Sequence, residues 1–567
     1  MTSQDIEVFG RGTLRHGNLP TRGLSVLEAV IRLGKRRKGA ISEHWQGLQL
    51  LDILSRLRWC RPARDRALEN IRADLEPPLL QSGPMHLLLQ TAIVVLPIAF
   101  YYVLRPKRNY VPDFPGPVSP SWLYGGFCPS KRSVREVVNI AYAGNLAELL
   151  LAPVYGQYEF TWLKRFGSVY QIRGCFGRTH IVIADPVSMN YVFSSPKWDQ
   201  APTLSTLMCM ATGLQSVEGF RAAGPEHRHL RGALNGAFTA SVVQTYEPIF
   251  ERVAAGISER IDSSPTNTVD IADILSAETL SAISMALLSR PVEELDPGFV
   301  QLNINLLRAA ARSSKKDLLS TDLLANYIPR RLLYRLLNFR IAGWHAVTRG
   351  RDLGLALGRA VVEDKLRVRA SGEDQGIEDG YDLLLSGKAG TGTKNLGTEE
   401  LIAQTSVLLL AGQDTTMPKA NTLAFCLIEL ARNPALQDQL RTEIQAHAPG
   451  QSYNQLPLLN AVIKEVLWMF PTEPVTDRLA YEGDIIPLSE PVLDRQGQKI
   501  ECIPVRKGQV VTMAIASYQR MISQWGSDVM EFNPMRWLDG GSVQTSNIIG
   551  PYANLMTFVS GARTCIG

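Results

Sequence analysis

The last ten residues hold a cysteine whose neighbours suit a metal-binding thiolate. Residues 558–567 read Phe-Val-Ser-Gly-Ala-Arg-Thr-Cys-Ile-Gly, which sets Cys565 between two glycines. A thiolate that binds iron needs a tight loop with backbone donors aimed at the sulfur, and glycine permits such a turn. Arg563 can pair with a carboxylate of the bound group, and Phe558 can shield the sulfur. A lone cysteine beside glycine is usually a small buried residue, but here five positions agree.

A second pair of chemically useful residues lies in the hexapeptide 411–416, which reads Ala-Gly-Gln-Asp-Thr-Thr. Asp414 and Thr415 put an acid beside a hydroxyl, a pair that can relay protons to dioxygen. The small Ala-Gly pair before them leaves room for that ligand. Asp-Thr-Thr also suits a helix cap, so the hexapeptide alone is weak support for catalysis.

The elements that must position these residues are predicted to be mainly helical. Apolar residues recur at three- and four-residue spacing in 249–261, 401–410 and 423–430, which predicts helices with one apolar face. Two short strands are predicted at 169–173 and 180–183, on either side of a glycine-containing turn.

Composition indicates a globular protein and argues against several other classes. The chain has 567 residues, of which 45% are hydrophobic and 20% charged. Its net charge of +5 is mild, and the basic residues are scattered among acids, so nucleic acid is not implied. The basic run 35–38 is either a solvated loop or a contact with nucleic acid or membrane. Seven cysteines without a CxxC pair indicate no disulfide framework and fit a reducing, cytosol-facing compartment.

A single membrane span is predicted at residues 85–104, which are almost wholly apolar and about as long as a bilayer-crossing helix requires. The basic residues that follow it favour a cytoplasmic position for the rest of the chain. Pro97 favours the alternative of a buried globular helix. Residues 105–126 are basic and then proline-rich, which predicts a stiff hinge. Residues 1–84 form an N-terminal extension whose role is not readable.

The C-terminal string resembles the haem-binding signature of the cytochrome P450 family, Phe-x-x-Gly-x-Arg-x-Cys-x-Gly, and the resemblance extends over most of the chain after the hinge. It implies a cytochrome P450-like fold, mainly α with small β-sheets (α+β), over residues 127–567. It also implies haem b as cofactor, with Cys565 as axial ligand and Phe558 and Gly561 in the loop around it. The family's thiolate favours O–O cleavage by donating electron density to the iron.

Further motifs match the family in the right order, and the residues have roles that the resemblance implies. The hexapeptide 411–416 resembles the oxygen-activation segment, with Asp414 and Thr415 as catalytic residues. Arg231, Arg478 and Arg563 are the expected contacts to the haem propionates. His227, four residues before Arg231, stands where many members have tryptophan.

A structural ion pair is expected between Glu465 and Arg536 of the segment Phe532–Trp537, but a third member is missing. Trp468 stands where the family has an arginine. Losing one member of a buried charge cluster typically costs about 3–5 kcal/mol, because the remaining carboxylate loses hydrogen bonds. Haem retention is therefore in question.

Two other departures from the family concern the helix at the oxygen-activation segment and the end of the chain. Met417–Lys419 resembles an insertion, and Pro418 should break or kink the helix at a cost of about 3 kcal/mol. Family members continue beyond Cys-x-Gly, so the resemblance implies that a chain ending at Gly567 is incomplete.

The resemblance implies a haem-dependent monooxygenase that inserts one oxygen atom of dioxygen into a lipophilic substrate. Its electrons would come from an NADPH-dependent flavoprotein reductase, because this chain has no dinucleotide-binding glycine motif. The expected location is the endoplasmic reticulum membrane, with the catalytic domain facing the cytosol. Two alternatives stay open: an inactive relative without a functional haem site, which Trp468 and Pro418 favour, and a haem-thiolate isomerase or dehydratase.

Overall fold

The computed structural model describes residues 112–118, 145–175, 178–202, 224–265, 268–311, 321–322, 325–326, 345–372, 379–386, 396–416, 422–447, 452–538 and 549–567. These residues are mostly helical and include two small β-sheets, as expected for a cytochrome P450-like fold. Within them the α-helices are α1 (Leu146–Leu150), α2 (Glu159–Phe166), α3 (Pro186–Ser194), α4 (Gly224–Leu234), α5 (Ala240–Thr245), α6 (Glu247–Asp262), α7 (Ile271–Leu288), α8 (Pro297–Ala311), α9 (His345–Ser371), α10 (Gly380–Ser386), α11 (Thr398–Thr416), α12 (Thr422–Arg432), α13 (Pro434–Gln445), α14 (Pro457–Met469), α15 (Ile515–Tyr518) and α16 (Ile522–Trp525). The strands are β1 (Val169–Arg173), β2 (Thr179–Ile183), β3 (Trp198–Gln200), β4 (Val475–Ala480), β5 (Asp484–Leu493), β6 (Lys499–Val505) and β7 (Val510–Ala514).

The larger sheet has the order β1-β2-β7-β4-β3. β2 and β7 are parallel and the other neighbours are antiparallel. Both β2 and β7 are buried along their whole length, because helices or loops cover both faces of the sheet. The predicted hairpin is confirmed as β1 and β2. β5 and β6 form the separate two-stranded sheet, with a register irregularity between Pro487 and Val492.

The helices build a second core beside the one around the sheet. It joins α7, α9, α10 and α11 through buried leucines and valines such as Leu287, Val361 and Leu409. At Gly358 a Cβ atom would lie 2.5 Å from the backbone oxygen of Ile402, so the glycine allows α9 and α11 to approach closely. The predicted helices are confirmed as α6, α11 and α12.

Part of the proline-rich segment predicted as a hinge packs on the larger sheet. The Gln171 amide of β1 donates to the Pro115 carbonyl at 2.9 Å, and the Phe114 side chain is fully buried in the core. A Cβ on Gly116 would lie 1.9 Å from the Gln171 oxygen. Phe114 therefore contributes to the domain core, a role that the proline spacing did not predict.

The predicted membrane span at 85–104 and the predicted extension at 1–84 lie outside the described residues. Among the residues that are described, no helix combines the length and the apolar character needed to cross a bilayer.

Candidate active site

The cysteine loop is closed by its own backbone. The Cys565 amide donates to the Phe558 carbonyl at 2.9 Å, and the Thr564 amide donates to the Gly561 carbonyl at 3.1 Å. Gly561 has φ = 72°, a conformation that side chains with a Cβ rarely adopt. A Cβ there would also lie 2.0 Å from the carbonyl oxygen of Phe193, at the end of α3. Glycine at this position is thus required both by the turn and by the packing of the loop on α3.

The Cys565 side chain is exposed, and its sulfur lies 2.9 Å from the Gly567 carbonyl oxygen. It borders a cavity of about 260 Å³ whose lining includes Leu467, Tyr552 and Phe558. Phe558 is half-buried and meets Tyr552 edge to face, with 6.2 Å between ring centroids. The sulfur is therefore accessible and has an apolar, aromatic flank.

Arg231, near the end of α4, holds the backbone of the same loop. Its Nη1 donates to the Thr564 carbonyl and its Nη2 donates to the Cys565 carbonyl at 3.0 Å. Desolvation lowers the pKa of Arg231, and Arg563 lowers it further, while Cys565 acts in the opposite sense. This guanidinium therefore lies within electrostatic reach of the cysteine, as well as of a second arginine.

Arg563 pairs with a carboxylate that the sequence did not single out. Its Nε donates to Asp199 Oδ1 at 2.9 Å and its Nη2 donates to Asp199 Oδ2 at 3.0 Å. Both side chains are mostly buried, at 12% and 14% exposure. This is the two-point geometry that planar guanidinium and carboxylate groups favour.

Arg478 on β4 is 3% exposed, and its described acceptors are neutral. Nη1 donates to Thr476 Oγ1 at 2.9 Å and to the Asp477 carbonyl at 3.1 Å, and the guanidinium lies over the Phe193 ring at 4.9 Å. Desolvation lowers the pKa of Arg478, while the nearby carboxylates of Glu473 and Asp199 raise it. A buried cation of this kind favours an anionic ligand.

His227 lies one turn before Arg231 on α4 and is mostly buried. Desolvation, with a smaller contribution from the neighbouring Arg563, lowers its pKa to about 4. The imidazole is therefore neutral at neutral pH, and the cationic character of this region comes from the arginines.

These residues fit an anionic iron porphyrin. An exposed cysteine supplies a soft ligand of the kind that iron in a haem accepts. Arg231 and Arg478 interact electrostatically with Arg563, so the three predicted propionate contacts share one region. Their guanidiniums suit carboxylate groups such as the two propionates.

The oxygen-activation segment is helical but only partly described. The backbone of Asp414 and Thr415 belongs to α11, while their side chains lie outside the described part of the structure, as does the whole of Met417–Lys419. A Cβ on Gly412 would lie 2.7 Å from side-chain atoms of Ile283 on α7. Helix packing thus accounts for that glycine, in addition to the room for dioxygen that the sequence suggested.

The ion pair between Glu465 and Arg536 is fully buried, with 3.0 Å between Arg536 Nε and Glu465 Oε2. The carboxylate also accepts from the Asn533 amide at 2.7 Å and from Trp537 Nε1 at 2.7 Å. The carboxylate beside Trp468 therefore has three donors, and the indole of Trp537 is one of them. Desolvation still raises the pKa of Glu465.

Trp468 itself is fully buried and contacts two arginines. The guanidinium carbon of Arg536 is 4.6 Å from the ring centroid, and that of Arg520 is 5.1 Å from it. Arg520 Nη2 also donates to the Met469 carbonyl at 2.8 Å. Cation–π contacts of this kind stabilise a buried arginine by about 2 kcal/mol. Trp468 therefore supplies part of the stabilisation that the missing arginine would have given.

Sequence reasoning missed Asp199, Trp537 and Arg520. Trp537 directly follows Arg536, and its adjacency to the motif was the one signal that could have indicated it. Asp199 and Arg520 belong to segments without a recognisable pattern and reach the site through tertiary packing.

Comparison with known proteins places this chemistry in a family. A family model described as Cytochrome P450 matches residues 144–567. Cytochrome P450 monooxygenase 205 of Postia placenta is 28% identical over 507 residues, which cover 85% of this chain and 88% of that protein. Cytochrome P450 monooxygenase claO of Ampulloclitocybe clavipes is 29% identical over 427 residues, covering 72% of this chain and 77% of that protein. The chain thus belongs to the cytochrome P450 family and is an oxidoreductase of the haem-dependent monooxygenase type.

Proposed function

We propose that this protein uses haem b to insert one oxygen atom of dioxygen into a lipophilic substrate and reduces the other atom to water. The observation that carries the proposal is the accessible Cys565 sulfur in a closed loop that Arg231 ties to α4. The family relationship supports the monooxygenase class and, more generally, a lipophilic substrate.

Residues of this chain would hold the haem at its iron and at its propionates. Cys565 would bind the iron, and Arg231, Arg478 and Arg563 would contact the propionates of the haem. When bound, the haem supplies the redox-active iron at which dioxygen is activated, and thiolate ligation favours O–O cleavage. Phe558 and the other apolar residues beside the sulfur would flank the haem on the side of its cysteine ligand.

Asp414 and Thr415 are the proposed proton relay. An acid and a hydroxyl at successive positions can pass a proton from solvent toward the reacting oxygen. Both residues are on α11, which the tight packing of Gly412 against Ile283 fixes relative to α7. A proton relay needs its groups at defined positions, and a helix held in this way gives the backbone of both residues such a position.

The proposed electron donor is a membrane-bound, NADPH-dependent flavoprotein reductase. Membrane attachment through residues 85–104, with the catalytic domain in the cytosol at the endoplasmic reticulum, would bring the two proteins to the same surface. Alkaline extraction of membranes from cells expressing the full chain tests the attachment. The protein should stay with the lipid, and deletion of 85–104 should release it.

Monooxygenation is tested with labelled dioxygen. The full chain, loaded with haem and combined with a flavoprotein reductase and NADPH, should convert a member of a lipophilic substrate panel to a product carrying one labelled oxygen atom. An Asp414→Asn variant should retain haem and lose most turnover. Product that carries oxygen from water, or turnover without NADPH and reductase, would contradict the proposal, and the latter result would favour an isomerase or dehydratase.

A further inference from the structure

Asp199 is the carboxylate partner of a proposed propionate-binding arginine. It belongs to β3, a three-residue strand whose register with β4 pairs Asp199 with Leu479 and Gln200 with Arg478. The Ala201 amide donates to the Asp477 carbonyl at 3.1 Å and continues the contact past the end of the strand. β3 therefore places this carboxylate at a fixed position next to the strand that carries Arg478.

The ion pair fixes the plane of the Arg563 guanidinium. Asp199 occupies the edge formed by Nε and Nη2, and its Oδ1 also accepts from the Gln200 amide at 2.7 Å. Because both oxygens are engaged and the pair is mostly buried, the side chain of Arg563 is held in one orientation. An arginine without such a partner would have to be ordered when a ligand binds, which weakens binding.

Asp199 also moderates the charge of the region. Arg563 lowers the pKa of both Arg478 and His227, as a nearby positive charge should, and Asp199 raises the pKa of both. The carboxylate is thus within electrostatic reach of several groups around the proposed cofactor site, and its removal would leave that site more positive.

We propose that Asp199 is a positioning residue for the haem propionates, which acts by holding Arg563 in its binding orientation and by lowering the net positive charge at the site. The inference rests on the proposed haem site and goes beyond it, since Asp199 itself is not a contact to the cofactor. Two measurable consequences follow: the carboxylate strengthens binding of the propionates, and it keeps the reduction potential of the iron lower than it would be without that negative charge.

The affinity is measured by titrating haem-free full-length protein with haemin and, in parallel, with haemin dimethyl ester, in which both propionates are esterified. Asp199→Asn should weaken haemin binding by about tenfold, because the cost of ordering a released Arg563 exceeds the electrostatic gain from removing one negative charge. It should leave binding of the ester unchanged, because the ester offers Arg563 no carboxylate. The iron in Asp199→Asn should also have a more positive reduction potential than in the wild type.

Asp484→Asn is the matched control. Asp484 accepts hydrogen bonds from Trp198 Nε1 at 2.9 Å and from Lys197 Nζ at 3.1 Å, so the change disturbs the same strand without touching Arg563. It should leave the ratio of haemin to ester affinity and the potential as in the wild type. Asp199→Glu keeps the charge but displaces the carboxylate, so it should weaken haemin binding without raising the potential.

The outcomes separate this inference from the function on which it depends. A wild-type chain that binds no haemin through Cys565 refutes the proposed function. If the wild type binds haemin, and Asp199→Asn weakens the binding of haemin and of the ester equally, Asp199 has a role in folding alone and the inference is overturned. Haemin binding by Asp199→Asn that is unchanged or tighter than wild type also overturns it, since the carboxylate would then compete with the propionates. If Asp199→Asn fails to fold, the haemin-to-ester ratio of Asp199→Glu decides in the same way.

Discussion

Replacing Trp537 with phenylalanine should destabilise this protein specifically through Glu465. The Trp537 indole donates to Glu465 Oε2 at 2.7 Å. Trp468 occupies the position at which the family has an arginine. Phenylalanine keeps most of the ring but removes the donor. The buried carboxylate would then keep two donors instead of three.

The size of the effect follows from the burial of the acceptor. The Glu465 side chain is 0% exposed, so no water can replace the lost donor. A hydrogen bond to a charged group contributes about 1.5–3 kcal/mol to stability. A loss of about 2 kcal/mol would reduce the folding equilibrium constant about 30-fold.

Chemical denaturation of the haem-free chain measures this loss, and pH gives it a signature. Desolvation already raises the pKa of Glu465, and removal of a donor to the carboxylate should raise it further. A raised carboxyl pKa means stability that is present at low pH and lost as pH rises. The difference between Trp537→Phe and wild type should therefore grow from pH 5 to pH 8.

Trp525→Phe is the control for loss of an indole. Trp525 also packs on Trp468, with 5.7 Å between ring centroids, but its Nε1 donates to the neutral Tyr518 carbonyl at 3.1 Å. Its substitution should cost about 1 kcal/mol, independently of pH. Equal costs for both variants at both pH values would refute the role assigned to Trp537.

Three further predictions concern a buried acid, the arginine that holds the loop and the glycine that turns it. Burial raises the pKa of Glu159 from 4.5 to about 7, so the free energy of unfolding should fall by up to about 3 kcal/mol between those pH values. Glu159→Gln should remove that dependence in denaturation series, and an unchanged slope would contradict the assignment. Arg231→Gln should weaken haemin binding in titrations about tenfold, because two carbonyls of the cysteine loop lose a charged donor; wild-type affinity would show that the loop needs no such support. Gly561→Ala should lower the unfolding free energy by at least about 2 kcal/mol, since φ = 72° disfavours a Cβ, and a thermal midpoint equal to wild type would contradict the geometry.

Local patterns predicted several elements of the fold. The helices α6, α11 and α12 and the hairpin of β1 and β2 follow from apolar periodicity within a dozen or so residues. Such patterns report which face of an element is buried. They say nothing of segments that join the core without regular structure, and residues 112–118 were accordingly not expected to pack on β1.

The sequence predicted the site residues that belong to a motif. It did not predict the residues that tertiary packing brings to the site from distant segments. Cys565 and Arg563 follow from one decapeptide, and their positions in the loop agree with that spacing. Asp199 contacts Arg563 across 364 positions of sequence, and nothing near it in sequence signals the pairing.

Trp468 illustrates the same limit at the buried ion pair. As a departure from a motif, it predicted a defect at Glu465. In the structure, Trp537 donates to that carboxylate, and Arg520 and Arg536 lie against the Trp468 indole. The consequence of a substitution in a buried cluster thus depends on neighbours that the motif does not include.

The central claim is that the Cys565 thiolate binds haem iron, and the reduced, carbon monoxide-treated spectrum tests it most directly. The full chain, expressed with haem and shown to be folded, should give a thiolate-type Soret band, and Cys565→Ser should bind carbon monoxide without that band. A folded, haem-loaded wild type that lacks the thiolate-type band, or a Cys565→Ser variant that retains it, would contradict the assignment.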